Sequence, residues 1–84
     1  MYEVYLERRA ERDLRRLPAG DFDRTIRHIK DLAATPRPAE CRKIIGAERD
    51  WRIRVGDYRI LHEIDDEASA VKVTRVRRRG EAYR

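Results

Sequence analysis

Cysteine is all but missing from this sequence: Cys41 stands alone, so no disulfide closes within the chain and a reducing compartment is its simplest home. Large apolar side chains are scarce as well, with one Trp, one Phe and one Met in 84 residues, and no run is long enough to span a bilayer. The opening Met1-Tyr2-Glu3-Val4-Tyr5 lacks the basic stretch leading into an apolar one that marks a secretory leader. Gly20, Gly46, Gly56 and Gly80 are dispersed and build no phosphate-cradling loop. The histidines and the cysteine have no metal-ligand spacing. These absences predict a cytoplasmic protein with no membrane segment, no metal and no cofactor.

What is abundant is charge, at 44% of residues. Apolar residues nevertheless recur at regular intervals, which argues for a folded domain over a disordered polyelectrolyte. A chain of this length hides only about 60–65% of the surface its unfolded form exposes, so one small domain over 1–84 with a thin core is expected. The net charge of +5 is uneven: residues 1–40 carry nine Lys/Arg against eight Asp/Glu, and residues 41–84 twelve against eight. Counterion release makes a basic surplus of this kind a signal for nucleic acid or another acidic partner, against which stands a merely solvated, arginine-rich surface.

Residues 2–6 read as a short strand. Ala10, Leu14 and Leu17 then fall at i, i+4, i+7 and predict an amphipathic helix stopped by Pro18, with Gly20 at the turn. Asp21 is the expected cap of a second helix whose stripe is Phe22, Ile26, Ile29 and Ala33, ended by Thr35-Pro36-Arg37-Pro38. Residues 39–50 are irregular and serve as a connection. From Trp51 the period becomes two: 51–55 is a strand, Gly56-Asp57 a two-residue hairpin turn, 58–64 the next strand, and 71–76 the last. Val76 has the opposite parity to Val71 and Val73, which a bulge near Thr74-Arg75 reconciles. The order β-α-α-β-β-β describes an α+β domain, a helical hairpin packed on a small, mainly antiparallel sheet.

The two-residue turn sets the register of the hairpin, placing Val55 opposite Tyr58, Arg54 opposite Arg59, Ile53 opposite Ile60 and Arg52 opposite Leu61. One side is then Trp51, Ile53, Val55, Tyr58, Ile60, His62 and Ile64, facing the helices. The other is Arg52, Arg54, Arg59, Leu61 and Glu63. Like charges directly opposite on paired strands oppose folding, and local violations of this kind tend to mark functional sites. The bland alternative is neutralisation by Glu63, Asp50 or another acid. Arginine suits phosphate by type, because its planar fork binds oxygens bidentately and stays charged. The closing run 75–84 supplies further cations in Arg77, Arg78 and Arg79, and a phenol in Tyr83. His62, on the apolar side, reads as a structural histidine, His28 as solvent-facing, and Trp51, Tyr58 and Phe22 as core.

The order strand, helical hairpin and meander, with Trp51-Arg52-Ile53-Arg54-Val55-Gly56-Asp57-Tyr58-Arg59-Ile60 and the closing segment from Val76 to Tyr83, resembles the RelE branch of the RelE/ParE toxins over nearly the whole chain. That resemblance implies a type II toxin that cuts messenger RNA in the ribosomal A site, without a metal, by attack of a ribose 2′-hydroxyl on the adjacent phosphorus. It also implies a cognate antitoxin in a hetero-oligomer, with ribosome and mRNA as further partners. Arg59 takes the place of a family arginine that stabilises the transition state. Arg79 and Tyr83 take the places of a terminal arginine and tyrosine, completing an implied catalytic set. Lys43, Arg52, Arg54, Arg77 and Arg78 are the implied RNA-binding cations. Arg78 stands where relatives often have histidine, which removes a candidate acid/base and leaves the proton acceptor unassigned, Glu63 being weighed both as a base and as a salt-bridge partner. Two other readings stay open: a ParE-like, non-enzymatic inhibitor of DNA gyrase, and an RNA-binding module without catalysis.

Overall fold

The computed structural model of the protein describes residues 1–79. Strand β1 (Glu3–Leu6) leads into helices α1 (Arg8–Arg15) and α2 (Ala19–Asp31), followed by β2 (Arg42–Lys43), β3 (Asp50–Val55), β4 (Tyr58–Asp65) and β5 (Ala70–Arg78). The five strands form one sheet in the order β1-β5-β4-β3-β2. Only β1 and β5 run parallel; the other neighbours are antiparallel. The expected α+β architecture is present, with β2 as an addition inside the segment expected to be irregular.

The helical hairpin turns on one residue. Pro18 disfavours helical backbone at Leu17, which ends α1, and then starts α2 itself with φ −56° and its carbonyl accepting the Phe22 amide at 2.8 Å. The helix therefore begins earlier than expected: Gly20 lies inside it, and Asp21 sits in the first turn instead of capping it. Asp21 still opposes the positive end of the helix and lies 3.8 Å from Arg24. The buried face of α2 is Thr25 and Ile29, continued by Leu32, with Ile26 at its edge, while Phe22 is 38% exposed. The expected Phe22 to Ala33 stripe is thus rotated toward Leu32, a larger apolar group than Ala33, so Phe22 leaves the core it was assigned to.

Under the helices, alternate strand residues form the core: Ile53, Val55, Ile60, Ile64, Val71, Val73 and Val76, against Ala10, Leu14, Ile29 and Leu32. Trp51 and Tyr58 pack against it, partly buried. Gly56 has φ +60° at the first of the two turn positions, a backbone region open to glycine, and the register predicted for the hairpin is the one observed. On the other flank of β4, Leu61 faces Arg75 and His62 faces Val73, so Thr74 is the extra residue of a bulge, and its hydroxyl donates to the Leu61 carbonyl at 3.1 Å. That bulge brings Val76 back to the core face opposite Ile60.

Arg37 ties the connection after α2 to the sheet, donating twice to Asp66 at 2.8 and 3.1 Å while lying 5.0 Å from the centre of the Trp51 ring. Below it, His62 is 1% exposed, with Nε2 3.3 Å from the Pro36 carbonyl and 3.9 Å from Cys41 Sγ. Burial pushes the His62 pKa below its usual value, the Pro36 and Ile60 carbonyls oppose that shift, and Arg37 reinforces it. The unfolded chain, with histidine near pH 6.5, takes up this proton before the folded chain does. Stability contributed by the neutral ring is therefore complete above about pH 6.5 and declines as pH falls toward the lower folded-state value. Urea unfolding between about pH 8 and 5 should show the midpoint dropping below neutrality. A midpoint that stays level or rises across that window would contradict this account of His62.

Candidate functional site

The solvent face of the sheet is arranged in cross-strand rows. Arg54 of β3, Arg59 of β4 and Arg77 of β5 stand opposite one another in succession. The next row runs from Arg42 of β2 through Arg52 and Leu61 to Arg75. Beyond it come Asp50, Glu63 and Lys72. The face thus has a strongly basic end beside the hairpin turn and a mixed, partly acidic end further along the strands. Three arginines in one row across three paired strands is an arrangement that opposes folding.

Arg59 is the hub of this arrangement. Its pKa is held below the ordinary arginine value, first by desolvation among its neighbours and then by the like charges of Arg52, Arg79 and Arg54. It remains a cation at any physiological pH. The Arg79 charge is close enough to act because β5 returns past the hairpin turn, where the Arg79 amide donates to the Asp57 carbonyl at 2.6 Å. Arg54 donates from Nε to the Gly56 carbonyl at 3.4 Å.

Between β2, β3 and β4 lies a groove of about 750 Å³, lined by Arg42, Arg52, Arg54 and Arg59, by Gly56, and by Ala39 and Glu40 of the connection before β2. Among the described residues, its lining sets four guanidinium groups against one carboxylate, which suits an anion. An extended phosphodiester chain fits such a row of planar cations, and among the described residues Glu40 is the one lining residue able to accept a proton. Glu63, weighed from the sequence as a base, is not among the residues lining the groove. Among the described residues, no group of three or more His, Cys, Asp or Glu converges as a metal site.

The residues expected at the site are therefore divided. Arg52, Arg54, Arg59 and Arg79 come together. Arg77 stands beside Arg59 in the sheet, but together with Arg78 it lines a separate depression toward α1. Lys43 faces Trp51 on the opposite side of the sheet, and the depression it lines holds three cations and four carboxylates. Tyr83 lies outside the described residues. Arg42 and Glu40 were not among the expected residues, because nothing in the sequence announces a two-residue strand; the pairing of Arg42 with Arg52 is what brings both to the groove. Among the described residues, no helix is long and apolar enough to cross a membrane.

Comparison with known proteins bears on what this geometry is for. The family described as the ParE toxin of the type II toxin-antitoxin system parDE matches residues 4–83. A chain in the archaeal RelE-RelB complex from Pyrococcus horikoshii OT3 superposes with a TM-score of 0.85 at 26% identity, covering 96% of this chain and 98% of that one. A chain in the toxin-antitoxin complex RelBE2 from Mycobacterium tuberculosis gives a TM-score of 0.82 at 30% identity, covering 93% and 98%. A protein bearing the name RelE1, from Methanocaldococcus jannaschii, is 23% identical over 99% of this chain and 96% of its own.

Proposed function

The chain belongs to the RelE/ParE superfamily of type II toxin-antitoxin toxins, and from that premise we infer that it acts as a metal-independent endoribonuclease on ribosome-bound messenger RNA. The observation that carries this reading is the convergence of Arg52, Arg54 and Arg79 on Arg59 beside an open groove. Guanidinium groups held by paired strands beside an open groove are preorganised for an oxyanion.

In this mechanism Arg42, Arg52 and Arg54 hold the RNA backbone in line, and Arg59 with Arg79 stabilises the extra negative charge that develops on phosphorus. The ribose 2′-hydroxyl forms a bond to phosphorus as the bond to the 5′-oxygen breaks, leaving a 2′,3′-cyclic phosphate and a free 5′-hydroxyl. Glu40 accepts the proton of the 2′-hydroxyl. Tyr83 is the proposed group for stacking on a base or returning a proton to the leaving oxygen. Arg77 and Arg78 extend the basic surface, and Lys43 is left out of the groove. The proposed partner is a cognate antitoxin, of the kind found in the toxin-antitoxin complex RelBE2 from Mycobacterium tuberculosis.

The family description names ParE, and that match favours one second reading, inhibition of DNA gyrase without catalysis. A cell-free assay separates the two. Purified protein should stop translation while leaving gyrase supercoiling intact, and Glu40→Gln should slow message loss about a hundredfold while the protein stays folded. Blocked supercoiling with translation undisturbed would replace the nuclease reading by the gyrase one.

A further inference from the structure

Past the far end of the arginine row lies a second depression, of about 420 Å³, between the end of α1 and the last residues of β5. Its lining combines two kinds of group. Leu17, Pro18 and Tyr58 are apolar or aromatic, and Leu17 and Tyr58 are packed against the hydrophobic core, which makes them a rigid floor. Arg16, Arg77 and Arg78 supply positive charge. Among the described residues the one carboxylate there, Asp13, is engaged by Arg75 at 2.8 Å and by the Val76 amide at 3.0 Å.

This depression is distinct from the groove, with which it shares no lining residue among those described. Arg77, which lines it, is the direct cross-strand partner of Arg59, whereas Tyr58 and Arg78 lie on the helix-facing side of the sheet, so a strand leaving the groove reaches the depression by passing over β5 at Arg77. An acidic peptide would use the cations and leave the apolar floor unfilled. A nucleotide presents a π-face and a phosphate together, which is the combination the lining matches.

We propose that this depression is a second RNA subsite, which holds the nucleotide flanking the reacting phosphodiester with its base against Leu17, Pro18 and Tyr58 and its phosphate on Arg16 and Arg78. The inference rests on the ribonuclease reading of the groove and adds to it a strand path that crosses β5 toward α1. Arg16 gains a role that neither its sequence position nor the groove assigns.

The test uses single-stranded RNA oligonucleotides, 2′-O-methylated so that they cannot be cut, with the full-length protein and the Arg16→Ala and Arg78→Ala variants. Both side chains are exposed, so each variant should unfold at the wild-type temperature. For wild type, an octanucleotide should bind on the order of tenfold tighter than a trinucleotide that fills only the groove. Either variant should lose most of that gain and show a salt dependence shallower by about one counterion, and Arg16→Ala should bind the trinucleotide as wild type does. A trinucleotide that binds with no gain on lengthening, or a gain that survives both variants, overturns the second subsite and leaves the groove standing. Binding of neither oligonucleotide overturns the groove reading and this one with it. Intact RNA binding with weakened capture of an acidic antitoxin-derived peptide by Arg16→Ala also overturns it, and assigns the depression to protein contact.

Discussion

Replacing Arg59 by alanine should lower the rate of message cleavage by about 10²–10³, the usual cost of removing one preorganised donor from a developing oxyanion. The same change should leave the protein folded. Arg59 stands between Arg54 and Arg77 in its row on the solvent face of the sheet and is not part of the hydrophobic core. Loss of activity without loss of stability is the signature of a residue held for chemistry. The check is paired: single-turnover cleavage rates for wild type and variant, and their urea midpoints in RNA-free buffer. A variant that cuts at the wild-type rate, or that loses activity only because it unfolds, would remove Arg59 from the centre of the site.

The largest effect on stability is expected at Asp13, outside the groove. Its side chain is 12% exposed and that of Arg75 23%, and the pair is joined by contacts of 2.8 and 3.3 Å. One oxygen also accepts the Val76 amide, where β5 has run past the last paired residue of β1 and α1 takes over its flank. Burial alone would raise the Asp13 pKa, but Arg75, the Val76 amide and Arg77 more than offset it and hold the carboxyl below the usual carboxylate range. Asp13→Ala leaves a mostly covered guanidinium and a strand amide without their acceptor, a change worth about 2–3 kcal/mol after allowing for the access Arg75 keeps to solvent. For a domain of this size that is a fall in melting temperature of roughly 10–20 °C. Because the folded-state pKa is depressed, this stability is fully present above about pH 4 and disappears as pH falls through the folded value, so wild type and variant should converge in acid. Melting temperatures within about 2 °C of each other at neutral pH would show the pair to be dispensable. The same contact fixes the course of β5, and with it the approach of Arg77 and Arg79 to Arg59.

The hairpin was legible in the sequence because a two-residue turn leaves no freedom of register: placing Gly56-Asp57 places Arg54 opposite Arg59. The bulge at Thr74 was legible for a related reason, since Val76 had to return to the face of Val71 and Val73. What escaped had no periodic signature. Strand β2 is two residues long, too short for alternation to show, yet it carries Arg42 to Arg52 and leaves Glu40 on the groove. Lys43, its neighbour, is sent to the other side of the sheet by the same pleat. The face of α2 turned on the choice between two overlapping apolar stripes, which packing against the sheet decided for Thr25, Ile29 and Leu32. The parallel pairing of β1 with β5 is a contact between the two ends of the sequence, and no local pattern encodes it.

Arg42, Arg52, Arg54, Arg59 and Arg79 are proposed to act as one phosphate-binding unit, and the chemistry of the cut ends tests that most directly. Translating ribosomes would be supplied with the protein and the message ends mapped and chemically typed, in parallel with the Arg59→Ala variant. The expected result is a break within the A-site codon bearing a 2′,3′-cyclic phosphate and a 5′-hydroxyl, formed unchanged in a chelator and nearly absent with the variant. Intact A-site codons from a folded wild-type protein, or ends bearing a 3′-hydroxyl and a 5′-phosphate, would contradict it.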